Sequence, residues 1–270
     1  TDERIDALQR NGGSDMIDLH AHILPGLDDG AQSLEESLEM AHMAEESGVT
    51  DLVATPHSNQ RGRFENNDTQ LLKKGLELFR AALRAEHIGL QVHLGMEIFS
   101  SSDWWERIED GKLISLAESR YYLVEFSFEE QPEIATDRLE QLVQHGIVPL
   151  IAHPERYYCV QESPELVYQW VRMGCQTQIN KGSVMGRFGR DAKDTAHELL
   201  RCDLATCMAT DAHSAQHRTT YLLDAYRKVA KYHGEKTAHC LLVERPKKIL
   251  ENRVIRPHGK KPERKRSFFF

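Results

Sequence analysis

Imidazoles and carboxylates in this chain recur where apolar runs end: His20 and His22 in IDLHAHIL, His57 in LVATPHS, Glu97 in VHLGMEI, Glu125 in YYLVEFS, His153 in VPLIAHPER, and Asp211 with His213 in CMATDAHS. A side chain that ends a buried strand is held rigidly at the rim of a core, so several such ends brought together make a multi-ligand metal site. In an H-x-H on a strand both side chains point to one face, so His20 and His22 can reach a single cation. Alone, that spacing more often marks packed or surface histidines. Its repetition as Asp211-Ala212-His213 at the last apolar run makes coincidence a poor explanation.

Glu97 and Glu125 adjoin strongly apolar runs, where an unpaired carboxylate is costly, so each needs a cation or a proton. Taken singly, either could end a strand in a salt bridge; beside so many imidazoles, a metal becomes the better partner. Asp29, in GLDDG, reads locally as a turn or helix-entry residue. The donor set has imidazole and carboxylate without thiolate, which suits Mn, Fe or Zn. Such clusters lower the pKa of bound water toward about 7 and clamp the oxygens of an in-line displacement at phosphorus. Arg156, three residues after His153, and Arg218, five after His213, stand equally for ligands of equatorial phosphoryl oxygens and for surface salt bridges. No cysteine is followed at the sixth position by arginine, and neither a G-x-x-x-x-G-K-[ST] loop nor a G-x-S-x-G elbow is present. A metal-dependent hydrolase acting through metal-bound water is the reading that this inventory leaves.

The elements that must position these groups alternate. The runs IDLHA, DLVAT, LQVHLG, YYLVEF, IVPLIA, TQIN and LATCMAT are strand candidates, with amphipathic stretches mostly between them. Ser33, with Glu36 three residues on, signals a helix start, and Gly48 its end. Residues 69 to 86 put Leu72, Leu76, Phe79 and Leu83 on one stripe; residues 133 to 145 do the same with Leu139, Leu142 and Val143. Pro149 weakens the case for IVPLIA, because proline cannot donate a ladder hydrogen bond. The economical α/β architecture is a seven-stranded, TIM-like barrel, whose functional groups gather at the C-terminal strand ends. A doubly wound open sheet is the alternative, but no G-x-G-x-x-G turn follows the first strand.

The 270 residues suit one barrel-type domain or two smaller ones, and the lack of an internal linker favours one. A formal net charge of −8 argues against a nucleic-acid partner, since such surfaces are usually basic. Five cysteines without a C-x-x-C pair fit reduced thiols, and no run has the length of a membrane span or the pattern of a secretion signal, so a cytoplasmic location is expected. Residues 1–15, polar and closing on Gly12, Gly13 and Ser14 before Met16, read as a leader or extension outside the fold. Residues 256–270 are rich in Lys and Arg and end in three phenylalanines. They read as a solvated tail, with docking to an acidic partner or an anionic membrane face as the alternative.

The order MIDLHAHILPGLDDGA, ATPH, GMEI, a strand ending in EFS, IAHPERY, QINKGS with GRFG, and ATDAH followed by Arg218 resembles the PHP (polymerase and histidinol phosphatase) superfamily. It is most similar to the bacterial manganese-dependent protein-tyrosine phosphatases encoded with capsule and exopolysaccharide genes. The resemblance runs from Met16 to about Asn252, within a domain expected over 16–255. It implies a distorted (β/α)7 PHP barrel with three divalent metal ions: one on His20, His22, Glu97 and Asp211, a second on Glu97, Glu125 and His153, a third on Asp29, His57 and His213. It also implies Arg156 and Arg218 as phosphate ligands, and it reverses the local reading of Asp29. The implied reaction is attack of a metal-bridging hydroxide on the phosphorus of phosphotyrosine, without a phosphoenzyme. The implied partner is an autophosphorylating bacterial tyrosine kinase that controls polysaccharide synthesis. Phe64 stands where tyrosine is common in that family, and Ser58 where a second histidine is frequent. A small-molecule phosphomonoesterase such as a histidinol phosphatase is the nearest rival; a nuclease-like PHP domain and a metal-stabilised regulatory module without turnover are the others.

Overall fold

In a computed structural model, whose described residues are 15–263, strand and helix alternate along the chain. The strands are β1 (Met16–Ala21), β2 (Val49–Ala54), β3 (His57–Ser58), β4 (Gln91–Leu94), β5 (Glu97–Phe99), β6 (Tyr121–Glu125), β7 (Val148–Ala152), β8 (Gln176–Asn180) and β9 (Cys207–Ala209). Every strand pair is parallel: β1-β2-β4 form one sheet, and β3-β5-β6-β7-β8-β9 the other. Parallel strands need crossover connections, and helices supply them. Among these are α1 (Leu34–Glu46), α2 (Thr69–Ala85), α3 (Trp104–Glu109) and α4 (Pro132–Gln144). Later come α5 (Tyr158–Glu162), α6 (Glu165–Met173), α7 (Lys181–Met185) and α8 (Arg190–Arg201).

The seven apolar runs are all strands, but two of them break. β2 passes into β3 across Thr55 and Pro56, and β4 into β5 across Gly95 and Met96. The breaks match one another: Gly95 N–H donates to Ala54 O at 2.9 Å and Glu97 N–H to Pro56 O at 3.1 Å, so chain continuity links the two sheets. At the far edges, Ala21 and Ala212 form an isolated parallel bridge, with His22 N–H donating to Ala212 O and Asp211 N–H to His20 O, both at 2.8 Å. Pro149 lies second in β7, before pairing with β8 begins at Leu150, so its missing donor costs the ladder little.

Wholly buried β1 and β8 fit strands covered on both faces. One apolar cluster joins Ile17 and Leu19 of β1 and Val53 of β2 to Leu123 of β6, Leu150 of β7 and Cys207 of β9, so residues of both sheets share it. Helices fill a larger second cluster. α2 buries Leu72, Leu76, Phe79 and Leu83, the stripe its spacing requires, and α4 buries Ala135, Leu139 and Leu142. The Ser33 hydroxyl accepts from Glu36 N–H, and Glu36 Oε2 accepts from Gln32 N–H at 2.9 Å, which caps α1 from both sides.

The expected leader lies outside the described residues except for Asp15, as do residues 264–270 of the expected tail. Residues 256–263 are mostly exposed but tied at two points: Lys260 N–H donates to Cys202 O, ahead of β9, at 2.9 Å, and Lys261 Nζ pairs with Glu165, the first residue of α6, at 3.0 Å. Among the described residues no helix is long and apolar enough to cross a membrane.

Candidate metal centre

Strand ends, and the breaks between β2 and β3 and between β4 and β5, deliver the residues singled out by spacing. β1 carries His20 and, just beyond it, His22; His57 and Glu97 open β3 and β5 opposite one another in register. Glu125 ends β6, His153 follows β7, and Asp211 and His213 follow β9. The turns that aim them are sharp: His153 has φ +32° and Asp211 φ +50°, left-handed values that an L-residue adopts at some conformational cost. Such strain persists only where the surroundings over-determine it, as buried, oriented side chains do here.

Glu97, 1% exposed, is the hub. His57 Nδ1 lies 2.8 Å from its Oε2 and His22 Nε2 3.3 Å; His153 Nε2 lies 3.1 Å from its Oε1 and His20 Nε2 3.3 Å. Asp211 Oδ1 is 3.4 Å from both His20 Nε2 and His22 Nε2. Glu125 approaches His153 at 3.6 Å and His57 at 3.8 Å. Asp29 Oδ1 stands 3.4 Å from His57 Nε2 and 3.6 Å from His213 Nε2. Donor atoms cluster tightly in three overlapping groups: His20, His22 and Glu97; His57, Glu97 and Glu125; and His22, Asp29, His57 and His213.

Ring tautomers test whether these residues fit metal ions. His22 Nδ1 faces Asp28 Oδ2 at 2.7 Å and His20 Nδ1 faces Gln178 Oε1 at 3.0 Å, so each Nδ1 carries the hydrogen. The Nε2 lone pairs of the two neutral rings then confront each other at 3.2 Å, and Glu97 and Asp211 oxygens beside them. Acceptors aimed at acceptors in a buried site require a cation or additional protons. The residues therefore fit metal ions, by donor chemistry as well as by placement.

Without a metal, the carboxyls divide. Burial alone would raise Glu97, yet the neighbouring His20 and His57 hold it well below the usual range; Asp211 is likewise held low against its burial by His20 and Arg218. Glu125 is pushed well above its ordinary value by burial, then by the charges of Glu97 and Asp211. Burial, with His22 adding to it, pulls His213 down to about 2.

Two guanidinium groups flank this cluster on an open cleft of about 730 Å³. Arg218 Nη2 pairs with Asp211 Oδ2, and Arg156 Nη1 approaches the same oxygen at 3.7 Å. The cleft wall also carries Phe128 and the seryl run Ser100 to Ser102.

The sequence profile described as "Capsular polysaccharide synthesis, CpsB/CapC" matches residues 16–251. The chain belongs to the CpsB/CapC family. Tyrosine-protein phosphatase YwqE of Bacillus subtilis is 33% identical over 254 residues, 94% of this chain and 99% of that protein. Tyrosine-protein phosphatase CpsB of Streptococcus pneumoniae is 33% identical over 245 residues, 89% of this chain and all of that protein. A crystal structure from work on those two proteins, described as unique metal-dependent tyrosine phosphatases, aligns with a TM-score of 0.86 at 32% identity, covering 92% of this chain and 100% of that one.

In this CpsB/CapC member, several residues that spacing did not single out support the cluster. Asp28 orients His22, accepts His57 N–H at 2.8 Å and is held at about 2, against burial, chiefly by His22. Gly30 is required beside it: a Cβ there would stand 2.2 Å from His22 O and 2.9 Å from Asp28 Oδ1. Asn180 Nδ2 donates to Asp211 Oδ2 at 2.5 Å, and Gln178 fixes the His20 ring. Both lie on β8, which carries no ionisable group to mark it; the position of Asn180 at the end of TQIN was the available signal. Arg63 pairs with Asp29 at 3.3 Å, and Phe64 stacks parallel to His57 with centroids 5.8 Å apart.

Glu155, fully buried, accepts Asn180 N–H at 2.9 Å, and burial pushes its carboxyl up to about 7. A carboxyl raised on folding stabilises the fold fully below its unfolded pKa of about 4.3, and that contribution fades as pH rises through the folded value. In metal-free protein, stability is therefore expected to decline between about pH 4.5 and 7 by about 3 kcal/mol from this group. Glu155→Gln is expected to remove that slope, measured as urea midpoints across the interval; an unchanged slope contradicts it.

Proposed function

We propose that this chain is a metal-dependent protein-tyrosine phosphatase, a phosphoric monoester hydrolase acting in capsular or exopolysaccharide synthesis. The observation that carries the reading is the convergence of four imidazoles on Glu97, next to two guanidinium groups that meet at Asp211 on an open cleft. His20, His22, Glu97 and Asp211 would hold one divalent ion, Glu97, Glu125 and His153 a second, and Asp29, His57 and His213 a third. The donor set favours manganese, iron or zinc. When bound, such ions activate water near neutral pH and neutralise phosphoryl charge.

The chain's own residues do the rest. Asp28 and Gln178 keep the His22 and His20 rings in one tautomer and orientation. Arg156 and Arg218 present N–H donors to the phosphoryl oxygens and favour the charge that builds there. Phenolate, conjugate base of an acid of pKa about 10, leaves without strong acid assistance. The open cleft admits an extended segment, which supports a phosphotyrosine-bearing tail of a bacterial tyrosine kinase as the partner. We also infer that the two sheets are halves of a distorted seven-stranded barrel of the PHP type. Its supports are the matched breaks in β2–β3 and β4–β5, the Ala21–Ala212 bridge and the apolar cluster common to both sheets.

The test compares kcat/KM on a phosphotyrosine peptide, a phosphoserine peptide and histidinol phosphate with manganese supplied. Clear preference for phosphotyrosine is expected, and preference for histidinol phosphate overturns the reading in favour of a small-molecule phosphatase. Arg218→Ala is expected to lower kcat/KM on the phosphotyrosine peptide about a hundredfold. A loss under about threefold removes Arg218 from the phosphate site.

A further inference from the structure

We infer that Phe188 is a positioning residue for the phosphate-binding arginines, an inference that rests on the phosphatase reading of this site. Arg156 Cζ lies over the Phe188 ring at 4.3 Å from its centroid and over the Phe128 ring at 4.4 Å; Arg218 Cζ is 5.6 Å from the same Phe188 centroid. Among the described residues Phe188 is thus the one ring within reach of both guanidinium groups, and it lies in the loop between α7 and α8, a strand connection that contributes none of the proposed ligands.

Two physical problems are met by that placement. A guanidinium donates its hydrogen bonds in its own plane, so rings covering its faces leave the N–H edge free and fix the direction in which it points. The one ion pair of Arg156 among the described residues, with Asp211 Oδ2 at 3.7 Å, is too long to do this. The second problem is repulsion, because Arg156 and Arg218 converge on the same carboxylate oxygen. A ring face, the negative end of the aromatic quadrupole, set against both cations eases their approach. The backbone is adapted to this ring. Gly182, in the first turn of α7, lies beneath it, and a Cβ there would stand 2.4 Å from Phe188 Cε2 and 2.8 Å from Cζ. Arg187 donates to His217 O at 2.5 Å, which ties the Phe188 loop to the loop bearing Arg218.

The test measures the Kd of inorganic phosphate by calorimetry on manganese-loaded protein, alongside KM and kcat on a phosphotyrosine peptide. Phe188→Leu, which keeps apolar volume and loses the ring, is expected to weaken phosphate about tenfold and raise KM similarly, with kcat changed less. Phe188→Tyr, which keeps the ring face, is expected to stay within about twofold of wild type. Gly182→Ala, which displaces the ring without removing it, is expected to move phosphate affinity in the same direction as leucine. Wild-type phosphate affinity in a folded leucine variant, or equal loss in the tyrosine variant, overturns the inference. Where the leucine variant fails to fold, unchanged affinity in Gly182→Ala does so. A wild-type protein inert on phosphotyrosine whose phosphate affinity still follows Phe188 defeats the phosphatase reading alone; an active one indifferent to Phe188 defeats this inference alone.

Discussion

Replacing Glu97 by alanine is expected to lower kcat/KM on a phosphotyrosine peptide by about a thousandfold or more and to reduce bound metal at once. Four imidazoles converge on its two oxygens. Its oxygens lie within 3.3 Å of nitrogens from His20, His22, His57 and His153, groups brought by β1, β3 and the turn after β7. Removal of such a bridging carboxylate takes a ligand from two proposed ions together and leaves imidazole lone pairs opposed with nothing between them. The loss should therefore exceed that of any peripheral ligand, Asp29 included, which is 41% exposed at its side chain. The check is steady-state kinetics with metal analysis of the purified protein. Activity within about tenfold of wild type would remove Glu97 from the centre.

Exhaustive chelation is expected to leave less than about a thousandth of the activity, with recovery on adding back manganese. The same treatment should lower thermal stability, since ligand present at a thousandfold excess over its Kd stabilises the fold by about 4 kcal/mol. Reloading should weaken as pH falls. In metal-free protein, burial lowers the affinity of His20 and His22 for protons, but the surrounding carboxylates outweigh it and raise both above their ordinary value. A metal must therefore displace protons at these rings. Activity that survives chelation with confirmed metal loss would rule out water activation by metal.

Much of this centre was legible from order along the chain. Strand-end histidines and acids are readable because a buried strand rarely finishes in a charged group without a reason. His20, His22, Glu125, His153, Asp211 and His213 all end or follow apolar runs, and the structure brings them together with Glu97, His57 and Asp29. The α2 stripe was legible because its burial follows helical period. Less legible were the interruptions at Thr55–Pro56 and Gly95–Met96, since a strand that bends and resumes has the same local composition as one that ends.

Sequence alone determined the inventory of imidazoles and carboxylates near strand ends, the absence of a thiolate among them and the alternation of strand with helix, because these are properties of residue type and local period. Tertiary structure alone decided that Glu97 is the hub, that Asp28 and Gln178 fix the His22 and His20 tautomers, and that Phe188 reaches both Arg156 and Arg218. Those relations join residues far apart in the chain, and their strength depends on distance and direction in a low-dielectric interior, which no local pattern encodes.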